Sequence, residues 1–314
     1  MPRSLRRARG RVFHYTSAAG LLGIVQSQAL WASEASSLND LAEVRRGWDL
    51  IKEWLQPRQA ASEAADWLYD FACNPVQAKH EVFVLSGTVA SDDAAQWRLY
   101  GNGGKGYAVE LAAAVQLAPI TSAPESPKPK TGRVFGWYLG EVASVTPWYH
   151  VLYSQRDVEL ALEQLDLSFN REIAIIRRSS ASFEEYSEKI DDLRGRAIEA
   201  LGAIAHLTKE PGFSGEREVR VVTTYLFADQ HIQYRPGPHG VISYGQVARS
   251  PKGHPTTRVL HRTGARGTKG LSLPIRSVRI GPLLSDEHTS TVERLLAHNN
   301  LRNVNVETSQ VKLR

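Results

Sequence analysis

The sequence predicts an α+β fold. Strand-like and helical segments are mixed along the chain without the regular alternation of a doubly wound parallel sheet. Two long helical stretches, near residues 154–178 and 182–209, lie between groups of strand-like segments. With 314 residues and 42% hydrophobic composition, the chain is long and apolar enough to bury a sizeable core, in one composite domain or in two.

The first quarter of the chain predicts one strand followed by helices. VFHYTS consists of strand-forming residues, and the apolar residues between Leu21 and Val25 have helical spacing, with Ser17 as the helix N-cap. A helical segment from about Leu41 to Cys73 carries three tryptophans and is interrupted at Pro57.

Most of the remaining strands are predicted on either side of the long helices. Residues 81–89 and 106–111 predict strands that enclose a glycine turn, whereas the proline-rich residues 119–131 predict a surface loop without regular structure. GEREVRVVTTY predicts a strand after the helices. LPIRSVRI, SDEHTSTVERLLAHNN and NVNVETSQVKL then predict a β–α–β unit at the end.

Several function classes lack the residues that they need. Cys73 is the single cysteine, which excludes an intrachain disulfide, and its place at the end of a helical pattern is typical of a buried structural thiol. There is no P-loop, HExxH, GxSxG or dinucleotide fingerprint, and the histidines show no metal-ligand spacing. Neither a signal peptide nor a membrane-length apolar run is present. We expect a cytoplasmic protein without a metal site and without membrane contact.

The net charge of +5 is unevenly distributed. Between residues 230 and 285 there is no Asp or Glu, and nine basic residues fall inside this basic segment: Arg235, Arg249, Lys252, Arg258, Arg262, Arg266, Lys269, Arg276 and Arg279. Such a segment is suited to the phosphates of a nucleotide or nucleic acid, and it is as typical of a solvated loop.

Two segments near the N-terminus carry candidate binding residues. His14 lies in the first predicted strand, directly before a helix, where a histidine most often has a structural role. QWRLYGNGGKGY places Trp97, Tyr100 and Tyr107 around a glycine turn. Aromatic residues at this spacing usually pack into a core, but the arrangement also suits a planar ring with phosphate near free backbone N–H groups.

The segment GFSGEREVRVVTTY carries two carboxylates. If it forms one strand, Glu216, Glu218 and Arg220 share one face while Val219 and Val221 point to the other. The carboxylates are then either part of a solvated strand face, on which Arg220 pairs with Glu218, or the working carboxylates of an active site.

Taken in this order, the segments resemble two families. The stretch from His14 to Leu30, beginning HYTS, is similar to the first strand and helix of the His-Tyr-Glu branch of the ADP-ribosyltransferase superfamily, and Glu216-Arg217-Glu218 is similar to the E-x-E motif of its arginine-directed members. No Ser-Thr-Ser segment for the middle strand is evident. Over more of its length the chain resembles an uncharacterised bacterial domain family. That resemblance rests on HYTSAAGLLGIVQSQALWASEASSLNDLAE, SGTVASDDAAQWRLYGNGGKGYAVEL, KEPGFSGEREVR and the tail.

The superfamily resemblance implies an ADP-ribosyltransferase-like split β-sheet core with helical insertions. We expect a single composite domain. It would comprise a basic tail (1–11), a core (12–270) with its helical insert at about 154–209, and a β–α–β tail (271–314) packed on the core.

The resemblance also implies that NAD is the substrate. His14 would hydrogen-bond a ribose hydroxyl of NAD, with Thr16 and Ser17 near the adenosine side and Tyr15 as a further NAD-binding residue. In the active site Glu218 would hydrogen-bond the 2′-hydroxyl of the nicotinamide ribose and stabilise the oxocarbenium-like state.

Further roles follow for the acceptor, the nicotinamide ring and the phosphates. Glu216 would orient or deprotonate the acceptor. The nicotinamide ring would stack on Trp97, Tyr100 or Tyr107, between which the sequence does not choose. Arg98, Arg220 or the basic segment would neutralise the pyrophosphate.

Three functions are therefore open. The first is an NAD-dependent ADP-ribosyltransferase that modifies a protein or nucleic acid, or hydrolyses NAD, as a bacterial toxin or anti-phage effector would. The second is a nucleotide or nucleic-acid sensor that uses the basic segment and the aromatic residues. The third is a nuclease in which Glu216 and Glu218 bind magnesium with Asp40 and Glu43; Asn39 and Asp40 also fit a turn held by side-chain bonds.

Overall fold

A mixed β-sheet with helices on both faces is the centre of the computed structural model. The structure describes residues 5–35, 41–73, 80–121, 133–134, 137–138, 142–226, 231–237, 240–252, 260–261 and 273–313. Within these residues the main sheet has thirteen strands, and a short hairpin forms a second sheet. The predicted α+β class is confirmed.

The strands and helices are numbered in chain order. The strands are β1 (Arg11–Thr16), β2 (Leu30–Glu34), β3 (His80–Thr88), β4 (Tyr107–Ala112), β5 (Leu117–Thr121), β6 (Arg133–Val134), β7 (Trp137–Tyr138), β8 (Val142–Val145), β9 (Tyr149–His150), β10 (Glu218–Leu226), β11 (Gln233–Gly237), β12 (Gly240–Arg249), β13 (Leu260–His261), β14 (Ile275–Ile280) and β15 (Asn305–Thr308). The α-helices are α1 (Ala18–Ser27), α2 (Leu41–Leu55), α3 (Glu63–Cys73), α4 (Ala94–Leu99), α5 (Gln155–Ser179), α6 (Phe183–Leu207) and α7 (Glu287–His298). Short 3₁₀ helices occupy Gln56–Ala61, Asn102–Gly104 and Pro211–Glu216.

Two local predictions were wrong. Residues 119–131 were expected to lack regular structure, but Pro119–Thr121 belongs to β5, where Pro119 lies opposite Val247 of β12. The side chains of β5 are all buried, so their burial outweighs the loss of one ladder donor at proline. Cys73, expected to be buried, is exposed at the end of α3.

Strand β3 is the central strand, and the sheet divides along one of its edges. On the other edge β10 pairs with β3 over its full length, from Glu218 opposite Thr88 to Leu226 opposite His80. On the dividing edge, β1 pairs at Thr88 and β2 pairs at Val84 and Phe83. The strands β2 and β12 continue one branch, and β1, β4, β14 and β15 form the other.

Alternation along β10 assigns its two faces to two different cores. Val219 and Val221 belong to a core that includes residues of α1 and α7. Val222 belongs to a core built from α2, α3, α5 and α6, which we call the helical layer. Successive strand residues point to opposite faces, so Glu218 and Arg220 lie on the face of Val222, beside the helical layer.

The N-terminal and C-terminal segments both join the sheet. Near the N-terminus, Leu5 and Ala8 are buried, and Ala8 N–H donates to the Trp148 carbonyl at 2.8 Å. Near the C-terminus, β14 pairs antiparallel with β4, and β15 pairs parallel with β14 after the intervening α7. The tail therefore extends one branch of the main sheet. None of the helices within the described ranges has both the length and the apolar character that a membrane crossing requires.

Close packing of the helical layer depends on a glycine. A Cβ atom on Gly47 of α2 would lie 2.3 Å from the carbonyl oxygen of Ala205 in α6, so no other residue fits without separating the two helices. Gly202 of α6 is the opposite case, because a Cβ there would meet nothing within 4 Å.

We expect Gly47→Ala to lower the free energy of unfolding, measured by urea denaturation. Overpacking costs about 1–3 kcal/mol, which exceeds the gain in helix propensity of about 1 kcal/mol. The matched control, Gly202→Ala, should raise the free energy of unfolding by about 0.5–1 kcal/mol because it gains propensity without a clash. An equal increase in both variants would contradict this account of the α2–α6 contact.

Candidate functional site

The two glutamates of the E-x-E motif lie where the chain enters β10. Pro211–Glu216 forms a 3₁₀ turn, and Arg217 takes a left-handed conformation with φ of 46° before the strand begins at Glu218. The prediction that Glu216 shares a strand face with Glu218 was therefore wrong. Pro211, Gly212 and Gly215 favour a turn here, and this turn ends one residue before Glu218.

The two carboxylates nevertheless meet, because Lys209 bridges them. Its Nζ donates to Glu216 Oε2 at 2.9 Å and to Glu218 Oε2 at 3.0 Å. Lys209 is 6% exposed and lies two residues after the end of α6. Lys209 is the first residue of the motif KEPGFSGEREVR, but no role was predicted for it.

Glu218 is buried and accepts hydrogen bonds from both Lys209 and Arg220. Arg220 Nε donates to Glu218 Oε1 at 2.7 Å, and Arg220 Nη2 donates to Glu218 Oε2 at 3.1 Å. Burial alone would raise the pKa of Glu218, but Arg220, Lys209 and the Ser86 side chain lower it below its usual range. The predicted pairing of Glu218 with Arg220 is present, but it is buried and not on a solvated face.

Arg220, one of the candidates for neutralising a pyrophosphate, is buried and engaged within the protein. Besides its two bonds to Glu218, its Nη1 donates to the His206 carbonyl at 2.8 Å. The side chain is 4% exposed. A buried guanidinium engaged on both sides is a structural counter-ion.

We call Lys209, Glu216, Glu218 and Arg220 the charge cluster; it contains two cations and two anions. Within it the two carboxylates differ in remaining bonding capacity. Glu218 accepts four bonds, two from Arg220 and one each from Lys209 and Ser86, and a carboxylate has about four acceptor positions. Glu216 accepts from Lys209 and from the Tyr100 hydroxyl, the latter at 3.2 Å. Glu216 therefore keeps acceptor positions for another molecule.

Exposed aromatic residues lie beside Glu216. Tyr100 is 44% exposed, and burial followed by the charge of Glu216 raises its pKa to about 12, so its hydroxyl stays a donor. Phe213 is 42% exposed, with Lys209 Nζ 4.8 Å from its ring centroid. On the buried side, the Tyr153 hydroxyl accepts from Glu218 N–H at 2.9 Å.

The other predicted aromatic residues are buried. Trp97 has no exposed surface; its Nε1 donates to Asp92 at 2.7 Å, and its ring meets Tyr15 edge-on at 4.8 Å. Tyr15 donates to the Ala90 carbonyl at 3.2 Å, and Tyr107 belongs to the core beside α1. All three side chains are buried, so none of them has a ring face exposed at the surface. Tyr100 is the member of the set with an exposed ring.

His14 lies at the division of the sheet. Its Nδ1 is 2.9 Å from the carbonyl oxygen of Ser86, on the part of β3 between the pairings with β1 and β2. Burial lowers the pKa of His14, and the nearby positive charge of Arg235 lowers it further. A carbonyl only accepts hydrogen bonds, so the neutral ring carries its proton on Nδ1, and Nε2 is an acceptor.

Two hydroxyl residues of β3 connect the predicted motifs. Ser86 contacts His14 through its carbonyl and Glu218 through its side chain. The Thr88 hydroxyl donates to the Glu216 carbonyl at 2.8 Å. The sequence has no evident Ser-Thr-Ser segment, but Ser86-Gly87-Thr88 lies on β3, the strand between those of His14 and Glu218. These three residues begin the motif SGTVASDDAAQWRLYGNGGKGYAVEL, which was the signal in the sequence for this segment.

The remaining predicted residues of the first two segments have local contacts. Ser17 is the N-cap of α1, as predicted, and accepts from Gly20 N–H at 3.2 Å. The Thr16 side chain lies against Gly20, where a Cβ atom would overlap its hydroxyl. Both side chains thus support the start of α1. Arg98 is exposed on α4.

The basic segment does not form one continuous patch in the described residues. Arg235 Nη2 donates to the Ser33 hydroxyl at 2.9 Å, and Arg279 pairs with Glu307 at 2.6 Å. Three of the remaining basic residues are exposed on or near strands: Arg249, Lys252 and Arg276. Four others lie outside the described residues: Arg258, Arg262, Arg266 and Lys269.

A magnesium site at the charge cluster has no support. Lys209 already bridges Glu216 and Glu218, and across the described ranges no group of three or more His, Cys, Asp or Glu side chains is placed to hold a metal. Asn39 and Asp40 lie outside the described residues, as does the side chain of Glu43.

Comparison with known proteins gives one family. A family model described as a protein of unknown function, DUF2971, matches residues 96–221, which extend from α4 to β10 and include the charge cluster. No curated protein and no solved structure matches significantly. The resemblance to a family without known function is confirmed over these residues, and the resemblance to ADP-ribosyltransferases stays a prediction.

We expect Arg220→Met to destabilise the fold by about 3–5 kcal/mol, because removal of one partner leaves Glu218 buried with less compensation. The measurement is the free energy of unfolding in urea. Arg196→Met is the matched control: Arg196 pairs with Glu172 on the helix surface at 49% side-chain exposure, and its loss should cost about 0–1 kcal/mol. Similar small losses in both variants would contradict a structural role for the buried pair.

His206, in the last turn of α6, predicts a pH dependence of stability. Its Nδ1 is 2.7 Å from the Gly202 carbonyl, and burial, then Arg220, lowers its pKa to about 4. An unfolded histidine has a pKa of about 6.5. Above that pH the residue is neutral in both states and its contribution is fully present; as the pH falls from about 6.5 to about 4, only the unfolded chain binds the proton and stability is lost.

We therefore expect His206→Gln to reduce the loss of unfolding free energy between pH 7 and pH 5 by about 2 kcal/mol. Urea denaturation at the two pH values measures it. His298→Gln, at an exposed position of α7, controls for the removal of one histidine. An unchanged pH dependence in His206→Gln would exclude His206 as the group responsible.

Proposed function

We propose that the protein is an NAD-dependent ADP-ribosyltransferase whose active site lies where β1, β3 and β10 run side by side. One observation carries the proposal: Ser86 of β3 contacts both His14 of β1 and Glu218 of β10. The three strands thus bring together the histidine, the hydroxyl segment and the glutamate motif that the superfamily resemblance places on successive strands. The acceptor is a protein or nucleic acid, and water replaces it in NAD hydrolysis.

The reaction exchanges one bond at C1′ of the nicotinamide ribose. The bond from C1′ to the ring nitrogen breaks, nicotinamide leaves with the electron pair, and the acceptor forms a bond to C1′ and loses a proton. The developing positive charge on the ribose is stabilised by a nearby carboxylate.

Within this proposal Glu216 is the carboxylate that contacts the substrate. Glu218 has its acceptor positions occupied by Arg220, Lys209 and Ser86, whereas Glu216 accepts from Tyr100 and Lys209 alone among the described residues. Glu216 therefore takes the role that the resemblance assigns to Glu218, namely accepting from the 2′-hydroxyl and facing the oxocarbenium-like ribose. Glu218 positions Lys209, which in turn orients Glu216.

Tyr100 and His14 suit the remaining parts of a nicotinamide riboside. Tyr100 has an exposed ring for the nicotinamide, and its protonated hydroxyl holds Glu216. His14 uses Nδ1–H for Ser86, so its Nε2 accepts from a ribose hydroxyl. Neutral His14 suits that role because imidazolium would have no acceptor.

The test is the release of nicotinamide from labelled NAD by the purified full chain, with and without a cell lysate. We expect Glu216→Gln to reduce release by about 10²–10³-fold, the range for loss of one group that stabilises charge in the transition state. Glu172→Gln is the matched control on α5, where the glutamate pairs with Arg196 at the helix surface, and it should retain activity. Urea midpoints verify that both variants are folded.

Two results would contradict the proposal. If the folded wild-type protein neither releases nicotinamide nor transfers label, with or without the lysate, the proposed transferase activity is rejected. Full activity in Glu216→Gln together with loss in a folded Glu218→Gln would return the substrate-facing role to Glu218.

A further inference from the structure

A second group of side chains lies on the branch of the sheet formed by β2, β12 and β11. Trp31 and Ser33 are two residues apart on β2 and share one face. Tyr244 of β12 lies directly opposite Ser33, and Gln233 of β11 lies opposite Tyr244. Arg235, two residues after Gln233, therefore faces the same side, and its Nη2 donates to the Ser33 hydroxyl at 2.9 Å.

This group is held in place by its neighbours. The Trp31 and Tyr244 ring centroids are 4.9 Å apart, and the Tyr244 hydroxyl donates to Gln233 Oε1 at 2.9 Å. Trp31 also packs against Gly23 of α1, where a Cβ atom would lie 2.7 Å from the ring. The indole therefore has little freedom to change its orientation.

Within the described part of the chain, two hydrogen-bond donors of this group are buried without an acceptor. They are Nε1–H of Trp31 and Nε–H of Arg235, for which no partner is present among the described residues. A buried donor without a partner is costly, and one of these donors belongs to a permanent cation. An oxyanion accepts hydrogen bonds from donors of both kinds, and the guanidinium adds the charge that strengthens such a bond.

The group lies next to the division of the sheet. The charge of Arg235 acts on the His14 ring and on the Tyr244 hydroxyl. His14 in turn contacts Ser86 at the point where β1 and β2 separate. Arg235 is therefore within electrostatic range of the His14 ring.

We propose that Trp31 and Arg235 bind a phosphate group of a nucleotide, whose sugar hydroxyl donates to His14 Nε2. The phosphate site rests on the two unpaired donors and on the charge of Arg235. Its identification with the diphosphate of NAD rests in addition on the proposed function. The proposal also assigns phosphate binding to one arginine of the basic segment, whereas the sequence offered the segment as a whole.

The experiment measures binding of ADP, inorganic pyrophosphate and adenosine to the full chain by isothermal titration calorimetry. We expect ADP and pyrophosphate to bind and adenosine to bind more weakly than ADP. Arg235→Ala should weaken ADP binding about 10–100-fold, the loss expected for a hydrogen bond to a charged group. Arg276→Ala, an exposed arginine of the same basic segment, is the matched control and should leave ADP binding unchanged.

Trp31→Phe is the second variant, because it keeps an aromatic ring and removes the N–H donor. It should weaken ADP binding roughly 2–10-fold, as expected for one neutral hydrogen bond. Urea midpoints of both variants are compared with the wild type, so that a loss of binding is assigned only to folded protein. If Arg235→Ala does not fold, the result for Trp31→Phe decides.

The outcomes separate this site from the proposed function. Absence of ADP and pyrophosphate binding, or equal affinity for ADP and adenosine, would overturn the phosphate site. Arg235-dependent ADP binding without nicotinamide release would support the phosphate site and reject the transferase. Nicotinamide release that is unchanged in Arg235→Ala at low NAD would support the transferase and remove Arg235 from its substrate site.

Discussion

The buried pairing of Glu218 with Arg220 and Lys209 is the interaction on which the site depends. It joins three parts of the chain, because Lys209 follows α6, Arg220 bonds the His206 carbonyl at the end of that helix, and Glu218 begins β10. Ion pairs at this depth contribute little net stability, since desolvation offsets attraction, but the loss of one partner is costly. The pairing therefore specifies how the helical layer meets the sheet.

A second constraint is the separation of β1 and β2 along one edge of β3. Strand separation leaves backbone groups without ladder partners, and buried carbonyls need a donor. His14 supplies that donor to the Ser86 carbonyl, so its side chain lies between the separating strands β1 and β2. Across the same separation, the charge of Arg235 on one branch acts on His14 of the other, so that a structural requirement of the sheet leaves polar groups on both sides of the division.

The elements were predictable from sequence, whereas the roles of the site residues were not. Local periodicity and capping were enough to predict β1 with α1, the long helices α5 and α6 and the strand–helix–strand end, because these signals depend on neighbouring residues. Whether Trp97 or Tyr100 presents its ring depends on Tyr15 and Asp92, which reach Trp97 only through the fold. Likewise, Arg220 is buried because it contacts the end of α6, and the motif EREVR alone does not predict that contact. Lys209 and Ser86 were within quoted motifs but became meaningful only through contacts between separate segments.

The division of labour that we propose for the two glutamates follows from their different backbone positions. Glu218 is the first residue of a strand that pairs along β3, so its side chain is directed to the buried face and is compensated there by two cations. Glu216 precedes the left-handed residue Arg217, and the turn brings its carboxylate back to Lys209 while leaving it beside exposed Tyr100 and Phe213. A carboxylate that must meet a substrate needs unfilled acceptor positions and an orientation set by groups that do not move with the substrate. Glu216 meets both conditions because Lys209, which orients it, is itself fixed by Glu218.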